Sequence, residues 1–304
     1  MRWYLRHLFV ADRTATRLAS RSLELFARWA GWFASDLIVV FTGSASAVEA
    51  VELPPPRGAA LCGADCIVLT SGHDAGSRTV VLPFEHGAEE PACAIKVAGQ
   101  ATVNDLTRGE HVLLRELHDR LPTSVSATLP VPLGAFDWHG RAGSAESILA
   151  GPTLTVVLGE ERSEPRKIEH LDRVARWTTA LAAASGEMIA WDDSAHQRWI
   201  ESIVSKARVG LNDPDRFTPL FDGLVAASAR LVGTSLPTVR RHFDLGPWNI
   251  LSTPDGVGVI DWESGLRWSE DGRGLPLCDL DYFAKYWLHA ATGARDLGDE
   301  LRLF

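Results

Sequence analysis

The sequence predicts an α+β protein in two parts, strands with one helix first and mainly helices after. Three observations predict it. β-Branched runs separated by short turns fill the chain from about Cys66 to Ala150. Beyond them, apolar residues recur at three- and four-residue spacing near 165–185, 195–209 and 217–233. Between the two textures, Gly151-Pro152 interrupts any regular element, which sets a first part over 61–151 and a second over 152–304. A chain of 304 residues is long enough for two such parts to share a cleft.

Taken in order, residues 1–60 read as a helical N-terminal extension that loosens at the linker Pro54-Pro55-Pro56-Arg57-Gly58. Leu25, Phe26, Trp29, Trp32 and Phe33 share one face of that helix, a stripe suited to packing on the domain that follows. Strands are expected at Cys66–Thr70 and Arg78–Pro83, flanking the polar tip Ser71–Ser77, and a third at Ala92–Val97. Asn104–Arg120 has helical periodicity: Leu106, Leu113, Leu114 and Leu117 fall on one side with Glu110 beside them. A further strand pair is expected at Val131–Asp137 and Ser147–Ala150, around a turn at His139-Gly140. In the second part, two short β pieces, Trp248–Ser252 and Val257–Asp261, are joined through Pro254-Asp255-Gly256.

Composition narrows the function classes. The net charge is −9, and no run of Lys and Arg offers a duplex its counter-charge, so nucleic acid is not an expected partner. The longest strongly apolar run, Leu37–Phe41, is too short to span a bilayer, and the N-terminal arginines lack the continuous apolar core of a signal peptide. Cys62, Cys66, Cys93 and Cys278 form neither a CxxC pair nor a disulfide framework, which suits buried reduced thiols in a cytoplasmic protein. Nothing in the sequence sets an oligomeric state. Only four of the 30 basic residues are lysines, and Lys96 is the sole lysine before residue 167.

The stretch richest in chemistry is Arg241-His242-Phe243-Asp244-Leu245-Gly246-Pro247-Trp248-Asn249-Ile250-Leu251, followed across a hairpin by Val259-Ile260-Asp261-Trp262-Glu263. Asp244 and Asn249 lie five apart on a loop stiffened by Gly246-Pro247, and the hairpin returns Asp261 towards Asn249. A carboxylate and a carboxamide oxygen that converge in this way suit a hard cation such as Mg²⁺. Asp244 is left to orient or deprotonate an attacking hydroxyl.

This stretch resembles the HxDxxxxN motif and the following Ile-Asp-Trp of the aminoglycoside phosphotransferase and choline kinase superfamily, with every fixed position present. The resemblance implies a two-lobed protein-kinase-like fold: a small antiparallel N-lobe and a mostly helical C-lobe. It further implies ATP or another nucleoside triphosphate with Mg²⁺ as cofactors, and a small-molecule hydroxyl as acceptor. It assigns His242 and Asp279 to bracing the catalytic loop, Asp244 to catalysis, and Asn249 and Asp261 to the metal. Ala94-Ile95-Lys96-Val97 resembles the kinase VAIK strand, with Lys96 on the phosphates and Glu110 as its partner; Glu116 is the alternative partner. Pro130-Val131-Pro132 and Gly151-Pro152-Thr153-Leu154 match further family elements, so the likeness runs from about 66 to 290 and leaves residues 1–60 outside.

Departures are confined. The tip Ser71–Ser77 lacks the kinase glycine pattern, so Ser77 and the tip's amides carry only a phosphate-covering role. Trp248, Trp262, Trp268 and Trp287 suggest an aromatic cage near the cleft, although tryptophan more often fills a core. Glu263, Glu270 and Asp271 stand on the acceptor side as candidates to attract a cationic substrate, or as a solvated face. No DFG triplet or activation segment follows Asp261, which disfavours a protein kinase. The rival from another class is a non-catalytic nucleotide-binding scaffold that keeps the fold.

Overall fold

The computed structural model describes residues 65–70, 78–85, 87–211, 213–263 and 271–292. The expected N-terminal extension, the tip Ser71–Ser77, Trp268 and Glu270 lie outside the described residues. The architecture is α+β, with an antiparallel N-terminal sheet and a helical C-terminal part.

The sheet comprises β1 (Asp65–Thr70), β2 (Arg78–Phe84), β3 (Ala94–Ala98), β4 (Pro132–Trp138) and β5 (Arg141–Glu146), in the order β1-β2-β3-β5-β4. β3 is central and buried along its whole length, which takes Lys96 out of water along with its apolar neighbours. The strand expected at Ser147–Ala150 lies earlier, at Arg141–Glu146. His139 (φ 48°) and Gly140 (φ 76°) both have positive φ, the geometry of a two-residue turn that brings the chain straight back, with Arg141 opposite Trp138. The returning residues Ala142, Gly143 and Ala145 are too small to read as a strand, and their smallness is what the packing uses: a Cβ on Gly143 would sit 2.3 Å from the Phe136 ring.

Helix α1 (Asn104–Arg120) lies on this sheet and buries Thr107, Glu110, Leu113, Leu114 and Leu117, while Leu106 is only half-buried. Each buried leucine contributes about 2 kcal/mol of transfer free energy. That stripe fixes the helix's rotation and carries Glu110 inward with it.

The C-terminal part contains α2 (Leu154–Glu160), α3 (Glu164–Ser185), α4 (Ser202–Gly210), α5 (Thr218–Ala229) and α6 (Cys278–Thr292). A three-stranded sheet that the sequence reading did not foresee joins β6 (Glu187–Trp191), β7 (Thr234–Arg240) and β10 (Arg273–Gly274) in the order β10-β7-β6. β6 holds only a short apolar run, residues 188–191, just after α3, and β7 interrupts its apolar residues with Pro237 and polar neighbours, so neither has the alternation that marks a strand. The hairpin of β8 (Ile250–Thr253) and β9 (Gly256–Val259) is present, tighter than expected, with Thr253 opposite Gly256. The main core gathers Leu113, Leu114 and Leu117 with Leu154, Trp177, Ile250, Val259, Trp262 and Phe283, and so bonds α1 to the hairpin and to the helices. Gly151 makes the passage between the two parts possible. Its φ is +118°, and a Cβ there would fall 2.1 Å from the Ser252 carbonyl oxygen. The next residue ties on to the same strand, because Ser252 N–H donates to Pro152 O at 2.8 Å.

Of the three described cysteines only Cys93 is buried as expected; Cys66 is exposed and Cys278 half-buried. No helix among the described residues is long and apolar enough to cross a membrane.

Candidate active site

The loop between β7 and β8 carries Asp244, and main-chain hydrogen bonds hold its shape. Asp279, near the start of α6, accepts from His242 N–H at 2.6 Å and Phe243 N–H at 3.2 Å, and from Arg241 Nε at 3.0 Å. These charge-assisted bonds hold Phe243 in the left-handed region (φ 66°), which a bulky residue rarely adopts. Arg241 lies over the Phe243 ring at 4.3 Å and closes the strained turn from the other side.

His242 is fully buried and sets the distance between loop and hairpin. Its Nδ1 accepts from Asp244 N–H at 3.3 Å, which assigns the ring proton to Nε2, the donor to Ile260 O at 2.8 Å. The ring also meets Trp262 edge-on at 4.9 Å. Asp244 itself is held at both oxygens. Tyr282 O–H donates to Oδ1 at 2.7 Å, while Asn249 Nδ2 donates to Oδ2 at 3.1 Å and to Asp244 O at 2.9 Å. Beside the carboxylate, burial first and then Asp244 push the Tyr282 phenol far above its ordinary range, so it remains a donor.

Asn249 opens the hairpin and Asp261 closes it. Asn249 O accepts from Ile260 N–H at 3.0 Å, so the two candidate metal ligands sit at the paired ends of one β ladder. Asp261 has φ 68°, which turns its side chain out of the strand direction. With Asn249 Nδ2 spent on Asp244, its Oδ1 is the oxygen available to a cation. The Asp261 side chain is 37% exposed, so the donor set is hard, oxygen-only and open on one side. That chemistry fits Mg²⁺.

The other wall of the cleft is an ion cluster. Lys96 Nζ lies 2.7 Å from Glu110 Oε1, 3.0 Å from Glu146 Oε1 and 3.7 Å from Asp261 Oδ1. Of the two α1 glutamates considered as its partner, Lys96 meets Glu110. Glu116 instead pairs with Arg120 and Arg240 on the far side of α1. Glu110 also accepts from Trp262 N–H at 2.9 Å, a direct link from α1 to the residue after Asp261. Burial alone would raise the Glu110 pKa, but Lys96 and Arg78 outweigh it and hold the carboxyl well below the usual range. Burial disfavours the Lys96 ammonium, and Glu110 and Glu146 more than restore it. Glu146 goes the other way: burial, reinforced by Glu110 and Asp261, pushes it up to about 7 against the pull of Lys96.

Three residues of this site escaped the sequence reading. Arg78, the first residue of β2, donates to Glu110, to Asp261 Oδ1 at 2.5 Å and reaches Glu263 Oε2 at 2.9 Å. Its only sequence signal was a base opening a β-branched run. Glu146 ends β5 opposite Ala94, which the misplaced strand at 147–150 concealed. Tyr282 lies three residues after Asp279 on α6, a spacing that puts both on one helical side.

The proposed cage is corrected. Trp262 is fully buried in the core, and Trp287 Nε1 donates to Lys167 O at 3.1 Å. Trp248 alone of the described three stands by Asp244, 39% exposed, and its neighbours are tyrosines: Tyr286 at 4.9 Å and Tyr282 at 6.4 Å between ring centroids. Gly246 lets the indole fold back, since a Cβ there would lie 2.3 Å from it. Glu263 turns towards Arg78 and the ion cluster, whereas the acceptor side was expected. Asp271 is a turn residue whose Oδ1 accepts from Arg273 N–H at 3.1 Å. Ser77 lies outside the described residues.

Comparison with known proteins gives a family. The model described as "APH: Phosphotransferase enzyme family" matches residues 4–302, a span that takes in most of the N-terminal stretch the motifs alone had left out. No curated protein sequence matches the chain. Among solved structures, an aminoglycoside-3′-phosphotransferase of type VIII is 17% identical at a TM-score of 0.41, covering 78% of this chain and 90% of that one. A glucosamine kinase is 15% identical at a TM-score of 0.41, covering 73% of this chain and 57% of that one.

Proposed function

Since the chain belongs to this phosphotransferase enzyme family, we propose that it transfers the γ-phosphoryl group of ATP, or another nucleoside triphosphate, to a hydroxyl of a small aminoglycoside-, amino-alcohol- or sugar-like acceptor. The observation that carries the reading is the meeting of Lys96, Glu110, Asn249 and Asp261, from a strand, a helix and a hairpin, in one cleft beside Asp244.

In this reading Asp244 is the catalytic residue. Tyr282 and Asn249 fix its carboxylate so that the acceptor hydroxyl meets an oriented base, which aligns the oxygen and takes its proton as the bond to phosphorus forms. Lys96, held by Glu110 and Glu146, presents its ammonium to the nucleotide's phosphates. Asn249 and Asp261 would hold magnesium, which when bound neutralises phosphate charge. The exposed faces of Trp248 and Tyr286 would flank the acceptor.

Asp244→Asn tests the reading against a scaffold that binds nucleotide without chemistry. The variant should bind Mg·ATP within about twofold of wild type, by calorimetry, and transfer phosphate about 10²–10⁴-fold more slowly in single turnover. Wild type that binds Mg·ATP but shows only background transfer across a broad screen of hydroxyl acceptors, with no slow ATP hydrolysis, would favour the scaffold.

A further inference from the structure

Asp261 cannot serve a metal and Arg78 in the same way at the same time. The Arg78 guanidinium is buried between three carboxylates, and its Nη2 lies 2.5 Å from Asp261 Oδ1, the oxygen that Lys96 also approaches at 3.7 Å. A cation bound at that oxygen has to displace or share with Nη2. The rest of the guanidinium is anchored independently, Nη1 on Glu110 and Nε within 2.9 Å of Glu263. Arginine's planar fork suits both carboxylate and phosphate oxygens, and it is less strongly hydrated than an ammonium.

We propose that Arg78 is a switchable ligand of the nucleotide site: it shares Asp261 with the divalent cation in competition, and its Nη2, kept in place by the two anchored nitrogens, donates to a phosphate oxygen of the nucleoside triphosphate when the cation takes that carboxylate. The proposal rests on the phosphotransferase reading above, and adds a phosphate-binding residue that the motifs do not contain. It predicts opposite effects of one substitution. Without Arg78, Asp261 has lost a competitor for free metal, while the triphosphate has lost a ligand.

The test uses the full chain with Arg78→Gln, and two binding measurements without turnover. Mn²⁺ alone is titrated by electron paramagnetic resonance, and a Mg²⁺ complex of a non-hydrolysable ATP analogue by calorimetry. Arg78→Gln should bind Mn²⁺ about tenfold more tightly and the Mg²⁺–analogue complex about tenfold more weakly. Arg78→Lys, which keeps a charge but not the fork, should shift both in the same two directions by less; it carries the test if the glutamine variant fails to fold. Arg78→Gln/Asp261→Asn should lose the gain in Mn²⁺ affinity. Affinities that fall together mark a merely structural arginine and overturn the proposal, as do affinities that stay put or a Mn²⁺ gain that survives loss of Asp261. A wild-type protein that binds no Mg²⁺–analogue complex overturns the nucleotide reading itself, and the proposal with it.

Discussion

The loop around Asp244 and the cluster around Glu110 both hold charged side chains out of water, yet one does so with main-chain N–H groups and the other with opposite charges. In the loop, Asp279 is satisfied by two backbone donors and by Arg241, and His242 is pinned at both ring nitrogens. Those partners are fixed by the chain itself and have nowhere else to go. In the cluster, Arg78 and Lys96 divide themselves among Glu110, Glu146, Asp261 and Glu263, side chain to side chain. Under the proposed function the difference divides the cleft's labour: the side that would take the acceptor is preorganised by hydrogen bonds, and the side that would take the phosphates is held by charges that a highly charged ligand could re-partition.

The comparison breaks most visibly at Asp261, where the two regions touch. Asp261→Ala should lower metal-dependent phosphoryl transfer by about 10³-fold or more while far-UV circular dichroism stays that of wild type. Turnover near the wild-type rate would remove Asp261 from the metal role and leave it as a partner of Arg78 and Lys96.

Asp279→Ala should strike stability before chemistry. It leaves the buried N–H groups of His242 and Phe243 without their acceptor and Arg241 without its ion pair, a loss of about 2–4 kcal/mol in chemical denaturation. A loss under about 0.5 kcal/mol would mean the loop's shape is held elsewhere.

The smallest effect sharpens the contrast through pH. Glu146 has its folded-state pKa raised from 4.5 to about 7, so the folded chain holds this proton more tightly than the unfolded chain does. Its contribution to stability is therefore complete below the unfolded value and is lost as pH rises through about 7. Across pH 5 to 8, wild type should lose on the order of 1–2 kcal/mol relative to Glu146→Gln, which cannot titrate there. Parallel stability curves for the two proteins would show that Glu146 stays ionised throughout, with Lys96 as its dominant neighbour.

The sequence by itself determined most of the acceptor-side loop and the order of the elements. His242, Asp244, Asn249 and Asp261 lie within one stretch closed by a hairpin, so short-range geometry brings them near each other. The leucines of α1 announced both that helix and the face on which Glu110 turns inward. Only the tertiary structure decided the charge cluster. Arg78, Glu146 and Glu263 lie apart from Lys96 in the sequence and join its cluster only through strand pairing and the packing of α1 on the sheet. A charged residue in a strand carries no mark in sequence of whether it faces water or another charge; that depends on which strand lies beside it. The same holds for β6 and β7, whose pairing is long-range: the short run at 188–191 and the Pro237-interrupted β7 do not by themselves say that they meet. Local spacing specifies a loop that closes on itself, whereas a network of ion pairs exists only once distant strands have met and excluded the water between them.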